Sequence, residues 1–198
     1  MRRCVAALFA LFVALAAPPR FDPGKTLGNP SAPVVLEVFG SFDCGHCKVF
    51  HDEIEPQLMK DFVNAGKLAV INREFPLSGQ YHPFAREASN YATAAARMGK
   101  YQEVADALWK NQATWATNGK VWETVANVLT LTEQKKIQTL AKDPSVLAEV
   151  QQDLDEGAKN GIDSTPTVFL NAKGKHIGLP SGVPNYYFLS GTINSFLK

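Results

Sequence analysis

The stretch FGSFDCGHCKVFHDEIEPQL, from Phe39 to Leu58, carries two cysteines, Cys44 and Cys47, at the head of an apolar repeat. Phe50, Ile54, Leu58 and Phe62 recur every four residues beyond Cys47, which puts them on one face of a helix. Pro56 falls inside that pattern and predicts a kink. Before the cysteines, VVLEVF (Val34 to Phe39) is a β-branched and aromatic run that reads as a mostly buried strand. After the helix, KLAVINREF (Lys67 to Phe75) reads as a second strand. Strand, helix and strand form a βαβ unit, whose crossover favours parallel pairing.

Working outward, PPRFDPGKTLGNPSAP (Pro18 to Pro33) is rich in Pro and Gly and reads as an irregular arm. From Ser78 to about Gly161 the chain looks helical, in segments such as HPFAREASNYATAAARM and VLAEVQQDLDEGAKN separated by Gly99, Gly119 and Pro144. Trp109, Trp115 and Trp122 all fall there and are read as core rather than groove lining. TPTVFLN (Thr165 to Asn171), a turn at AKGK, and HIGLP (His176 to Pro180) predict an antiparallel hairpin. Asn185 is placed to cap a last helix in which Leu189, Ile193, Phe196 and Leu197 share a face. The order is therefore βαβ, helical insert, ββα: an α/β chain with a mixed sheet flanked by helices.

Composition sets the compartment. Arg2 and Arg3 precede the apolar run Val5 to Ala17, which ends in small residues and is followed by Pro18 and Pro19. That run falls short of the roughly 20 residues a bilayer-spanning helix needs, so it reads as a secretory signal peptide over residues 1–17 rather than an anchor. Cleavage near Ala16 or Ala17 removes Cys4, leaving Cys44 and Cys47 of the 3 cysteines in an oxidising compartment. A bridge across so short a loop constrains almost nothing in the unfolded chain, so stapling is a poor role for it. The remaining ~180 residues are enough for a full hydrophobic core without a staple. Loss of Arg2 and Arg3 takes the formal charge from +1 to −1, which gives nucleic acid or an anionic membrane no electrostatic handle.

Metal and haem chemistry fit the cysteine pair poorly. Haem attachment needs His directly after the second cysteine, where the chain has Lys48. Zinc needs four ligands, and Cys44 and Cys47 have only His46 or His51 beside them, so no metal and no cofactor is expected. His51, His82 and His176 are read as surface or packing residues. Thiol–disulfide exchange fits well. It needs an accessible sulfur held as thiolate and a second sulfur close by. A helix starting at Cys44 sets its sulfur against unpaired backbone N–H groups and the positive end of the helix dipole. Gly45 and His46 lie between the sulfurs, with His46 able to add positive charge. Cys47, one turn in and partly shielded, suits the resolving role.

The segments GNPSAPVVLEVFGSFDCGHCKVFHDEIEPQL, REFPL and STPTVFLN, in that order, resemble the DsbA-like thiol–disulfide oxidoreductases of the thioredoxin superfamily, over about Gly28 to Lys198. The resemblance implies a thioredoxin domain over 34–77 and 162–198, interrupted by a helical domain over 78–161 inserted before the cis-Pro strand, with the arm over 18–33. It implies a cis Pro166 beside the sulfurs, where the preceding backbone can pair with an extended substrate, and a Thr165 that tunes redox behaviour. Relatives carry a buried acid where this chain has Val38. Glu37, one residue away, points to the opposite face of a regular strand, so it is read as a solvated or salt-bridged carboxylate and not as a proton relay. The implied activity is a periplasmic, monomeric oxidase of thiols in folding secreted proteins, reoxidised by a membrane partner of the DsbB or VKOR type, with no nucleic acid partner. Gly45-His46 supplies no second cation or Pro, which implies a moderate oxidant. A reductase or isomerase kept reduced by a membrane donor is the alternative, and a non-catalytic binder of unfolded chains is the alternative from another class.

Overall fold

The computed structural model describes residues 19–198, so the signal-peptide reading of residues 1–17 lies outside the described residues. Five strands form one mixed sheet in the order β1-β3-β2-β4-β5: β1 (Thr26–Leu27), β2 (Val34–Gly40), β3 (Leu68–Glu74), β4 (Thr167–Ala172) and β5 (Lys175–Gly178). β2 and β3 pair in parallel, and β4 runs antiparallel to both β2 and β5. This is the βαβ and ββα order expected. The arm is not wholly irregular, because its Thr26–Leu27 forms β1 on the edge of β3. Two residues are too few to show an alternating pattern, so that strand had no sequence signal.

The apolar pattern after the cysteines is helical throughout, but not uniformly α. α1 (Gly45–Val49) passes into a π turn, Phe50–Ile54, then α2 (Glu55–Leu58), then a second π turn, Met59–Val63. A strict α-helix would rotate residues spaced by four off one face, since its period is ~3.6. The wider π turns cancel that drift. Phe50, Ile54, Leu58 and Phe62 consequently all reach the core against Val34, Leu36 and Val38 of β2. Pro56 falls in the first turn of α2, just after a π turn, where its missing N–H does not break the helical run.

α3 (Ala85–Ala96), α4 (Tyr101–Lys110), α5 (Gln112–Asn118), α6 (Val121–Ala126), α7 (Leu131–Leu140) and α8 (Pro144–Lys159) lie between β3 and β4 in sequence. They enclose a second core around Trp115, which is fully buried and donates its indole N–H to the Leu108 carbonyl at 2.8 Å. Trp109 and Trp122 pack on the edge of that core, partly buried. Gly119, at φ +75°, ends α5 in the left-handed conformation that suits a residue without Cβ. α9 (Tyr186–Leu197) closes the chain, capped by the Asn185 side chain and pressing Leu189 and Ile193 onto the same sheet face as α1 and α2.

On its other face the sheet carries a buried ionic network. Lys25 is fully buried, bonding Asp153 at 3.0 Å and Glu149 at 3.1 Å. Arg73 Nε donates to Glu37 Oε1 at 3.0 Å, and Asn171 donates to Glu37 Oε2 at 2.9 Å. Glu37 is thus salt-bridged as expected, though buried rather than solvated. It faces away from Val38 and the cysteine helix, the geometry that alternation requires. The network ties the N-terminal arm, β2, β3, β4 and α8 together.

Candidate active site

Cys44 sits as the N-cap of α1, with extended backbone (φ −81°, ψ 120°) that turns its sulfur toward the first helical turn. The Cys47 backbone N–H donates to Cys44 Sγ at 3.4 Å, and the Cys44 thiol donates to the Thr165 carbonyl at 3.3 Å. Both cysteines are free thiols. Cys47 is buried at 4% exposure, and a Cβ built at Gly40 would lie 3.6 Å from its sulfur, which places it over the end of β2. Cys44 is itself only 9% exposed, less open than the accessible sulfur expected, because the loop at Thr165–Pro166 covers it from one side. The Thr165–Pro166 peptide is cis.

Two adjacent thiols in this setting part company electrostatically. The Cys47 thiol facing it, the Thr165 side chain and the backbone N–H groups of Cys47 and His46 together hold Cys44 at about 5, against the opposing effect of burial. Cys47 is pushed far up by the Cys44 sulfur and by burial. Helix-start N–H groups favour an anion at Cys44 for the reason any helix N-terminus does. One thiol is therefore ionised at neutral pH and the other holds its proton.

Gly45 and the His46 side chain are exposed, and among the described residues the His46 ring makes no hydrogen bond. The His46 backbone N–H is one of the groups that hold the Cys44 thiol down. The buried Thr165 Oγ1 has no hydrogen-bond partner and bears on both sulfurs, lowering each, so its hydroxyl is at hand for whichever thiolate forms. Among the described residues no cluster of His, Cys, Asp and Glu is arranged to hold a metal ion.

Sequence reasoning missed several neighbours. Asp43, immediately before Cys44, pairs with His82 Nδ1 at 2.6 Å, and Gln112 Nε2 donates to the Phe42 and Cys44 carbonyls at 2.7 and 3.0 Å. The helical segment thereby fixes the cysteine loop from the side. His51 bonds Asp52 and Asp106 and lies near the Trp109 ring, while His176 stacks on Phe169. Behind Cys47 lies a cavity of about 40 Å³ reached by Glu55 and Glu74. Burial pushes each of these two carboxyls up to about 7. Neither acid stands in a motif; the fold alone brings them to the cavity that Cys47 also lines.

A family model described as thioredoxin matches residues 22–178. The chain is 25% identical over 173 residues to the disulfide bond formation protein D of Bacillus subtilis (strain 168), covering 81% of this chain and 73% of that protein. Among solved structures, oxidised BdbD from Bacillus subtilis superposes with a TM-score of 0.71 at 24% identity, over 93% of this chain and 98% of that one. Wolbachia pipientis α-DsbA1 gives a TM-score of 0.70 at 21% identity, over 87% and 89%. The two structural likenesses speak to the fold.

Proposed function

This chain belongs to the thioredoxin family, and on that premise we propose that it is a secreted oxidant of protein dithiols working through a Cys44–Cys47 disulfide. It is a DsbA-like thiol–disulfide oxidoreductase, and the observation that carries the reading is the asymmetry of the two sulfurs. Cys44 is an N-cap thiol held at about 5, while Cys47 is buried and its thiol pushed far up.

The chemistry follows from that asymmetry. A substrate thiolate attacks Cys44 Sγ of the enzyme disulfide; the Cys44–Cys47 bond breaks and Cys47 leaves as a thiolate that takes up a proton. A second substrate thiolate then attacks the substrate sulfur of the mixed disulfide, and Cys44 leaves as its stabilised thiolate. The substrate has lost two electrons and gained a disulfide; the enzyme has gained both electrons as a dithiol. Low leaving-group pKa speeds the second step, and the stability of the Cys44 thiolate drives the transfer. Thr165 and the cis Pro166 flank Cys44 where an extended substrate segment would lie, by strand-like pairing with the backbone there.

Turnover in this direction consumes the disulfide, so a membrane redox partner of the DsbB or VKOR type reoxidises the dithiol in the periplasm, and the enzyme acts as a monomer without a cofactor. Among the described residues no helix is long and apolar enough to cross a membrane. The direct test mixes oxidised protein with reduced, unfolded ribonuclease and counts thiols. One dithiol lost from ribonuclease per protein molecule, with active ribonuclease appearing, is expected. Binding of ribonuclease with its thiols intact would support the non-catalytic binder instead.

A further inference from the structure

An acid stands directly beside the reactive sulfur. Asp43 precedes Cys44 in the chain, and a carboxylate so close opposes a thiolate, since each of two like charges disfavours the other's ionised form. The groups that hold Cys44 down most strongly are the Cys47 thiol, Thr165 and the backbone N–H groups of Cys47 and His46. None of these carries a formal positive charge to offset the acid. A chain that works through the Cys44 thiolate therefore has to keep the Asp43 charge engaged elsewhere.

Two partners engage it. Ser41 Oγ donates to Asp43 Oδ1, and His82 Nδ1 donates to Asp43 Oδ2 at 2.6 Å. Nδ1 must carry the proton in this contact, because a carboxylate oxygen only accepts. The Asp43 side chain is 5% exposed and the His82 ring 31%, so the pair is sheltered at the acid and open to water at the ring. Cys44 Sγ meets a different set, the Cys47 N–H and the Thr165 carbonyl.

His82 lies in the loop between β3 and α3, in a turn that its own N–H closes onto the Gly79 carbonyl at 3.0 Å. That loop is already fastened to the cysteine loop at other points. Phe75 N–H donates to the Gly40 carbonyl at 2.8 Å, and Leu77 N–H donates to Ser41 Oγ at 3.0 Å. A further latch at Asp43 adds little to that fastening, so what sets the His82 contact apart is the charge it engages. Other ionic groups near the ring are occupied. Arg86 and Asp163 line the same surface cleft as His82, but Arg86 donates to Gln151 at 3.2 Å and Asp163 accepts from the Ser164 hydroxyl at 3.0 Å.

We propose that His82 is a positioning residue that holds the Asp43 carboxylate off the Cys44 thiolate and so helps to set the reduction potential, resting on the dithiol reading above. No proton and no electron passes between this pair and the sulfurs. With His82 in place, the acid's oxygen is turned to a donor and its field at Cys44 is reduced. Without it, the freed carboxylate acts on the thiolate, the reduced form loses stability and the disulfide becomes a weaker oxidant.

The ultraviolet absorbance of the thiolate in the reduced protein reads the titration of Cys44, and equilibration with glutathione buffers reads the potential. The unsubstituted protein should titrate near about 5. His82→Phe, which keeps a ring but removes the donor, should raise that midpoint and weaken thiolate formation roughly 3- to 10-fold, lowering the potential by about 15–30 mV. His82→Ala, a smaller change at the same half-exposed site, should give the same sign. His82→Asn, which returns an amide donor near the place of Nδ1, should recover part of the change. Asp43→Asn can still accept from His82, and alone it should leave the midpoint at or below that of the unsubstituted protein. The double variant His82→Phe with Asp43→Asn should match Asp43→Asn, because no charge is left to hold off. A loop latch without an electrostatic role would lower stability in both His82→Phe and His82→Ala and leave the Cys44 titration and the potential where they were. That result, or a raised midpoint that persists in the double variant, would overturn the assignment. Failure of the unsubstituted protein to form a Cys44–Cys47 disulfide anywhere in the glutathione series would instead sink the dithiol reading beneath it.

Discussion

Cys44→Ser should reduce disulfide transfer to the rate of a protein-free control, whereas Cys47→Ser should lose turnover yet still form one covalent adduct per molecule. The difference comes from the division of labour at the helix start. A hydroxyl cannot form the mixed disulfide at all, so nothing remains of the pathway without Cys44. With Cys47 replaced, Cys44 keeps the backbone N–H groups of residues 46 and 47 and the Thr165 contact that stabilise its thiolate, and the hydroxyl that takes the place of the second thiol still donates to it. The mixed disulfide with substrate then has no internal thiol to resolve it and accumulates. Mass measurement without reductant, after exposure to a dithiol substrate in its mono-oxidised or activated form, reads both results. Equal loss of adduct in the two variants would mean that the roles of the sulfurs are wrongly assigned.

Arg73→Met should cost about 3–5 kcal/mol of folding stability, the range for removing one partner of a buried ion pair. Arg73 is 2% exposed, bonds Glu37 through Nε and a terminal nitrogen, donates to the Arg20 carbonyl and stands 3.7 Å from Asp153. Its loss leaves Glu37, 1% exposed, with the Asn171 amide as its remaining close donor. Adding Glu37→Leu should return a large part of that cost, since an apolar pair of similar volume is often neutral where a lone buried charge is not. Urea midpoints at constant slope measure both. If the double variant is no more stable than Arg73→Met, the penalty lies in lost packing rather than in an orphaned charge.

The sequence was most informative where a pattern repeats. The β-branched and aromatic run of Val34 to Phe39, the four-residue spacing after Cys47 and the hairpin around the AKGK turn are each local signals, and those elements appear as expected. The four-residue spacing even encoded the π turns, though only in hindsight, since four lies between the α period and a wider one. β1 escaped because pairing of Thr26 and Leu27 with Val70 and Ile71 is a property of the partner strand, not of two residues. The site divides in the same way. Cys44, Cys47, Thr165 and Pro166 announce themselves by type and spacing. Gln112, His82 and Glu55 do not, because what matters about them is which cavity or loop the helical segment brings them against. His46 shows the converse: its side chain drew attention, while its backbone N–H is among the groups that hold the Cys44 thiol down.

The reduction potential of the Cys44–Cys47 pair, by equilibration with glutathione buffers across pH, tests the account most directly. Lowering Cys44 from 9.0 to about 5 stabilises the reduced form at pH 7 by about 3 kcal/mol, or about 60 mV toward a stronger oxidant. The account predicts a value well above that of thioredoxin, toward the roughly −180 to −120 mV of disulfide isomerase and DsbA. It also predicts a pH slope of about 30 mV per unit above pH 5, where the dithiol carries one proton, steepening to about 60 mV below it. A potential at or below about −270 mV would contradict it and make the chain a reductase.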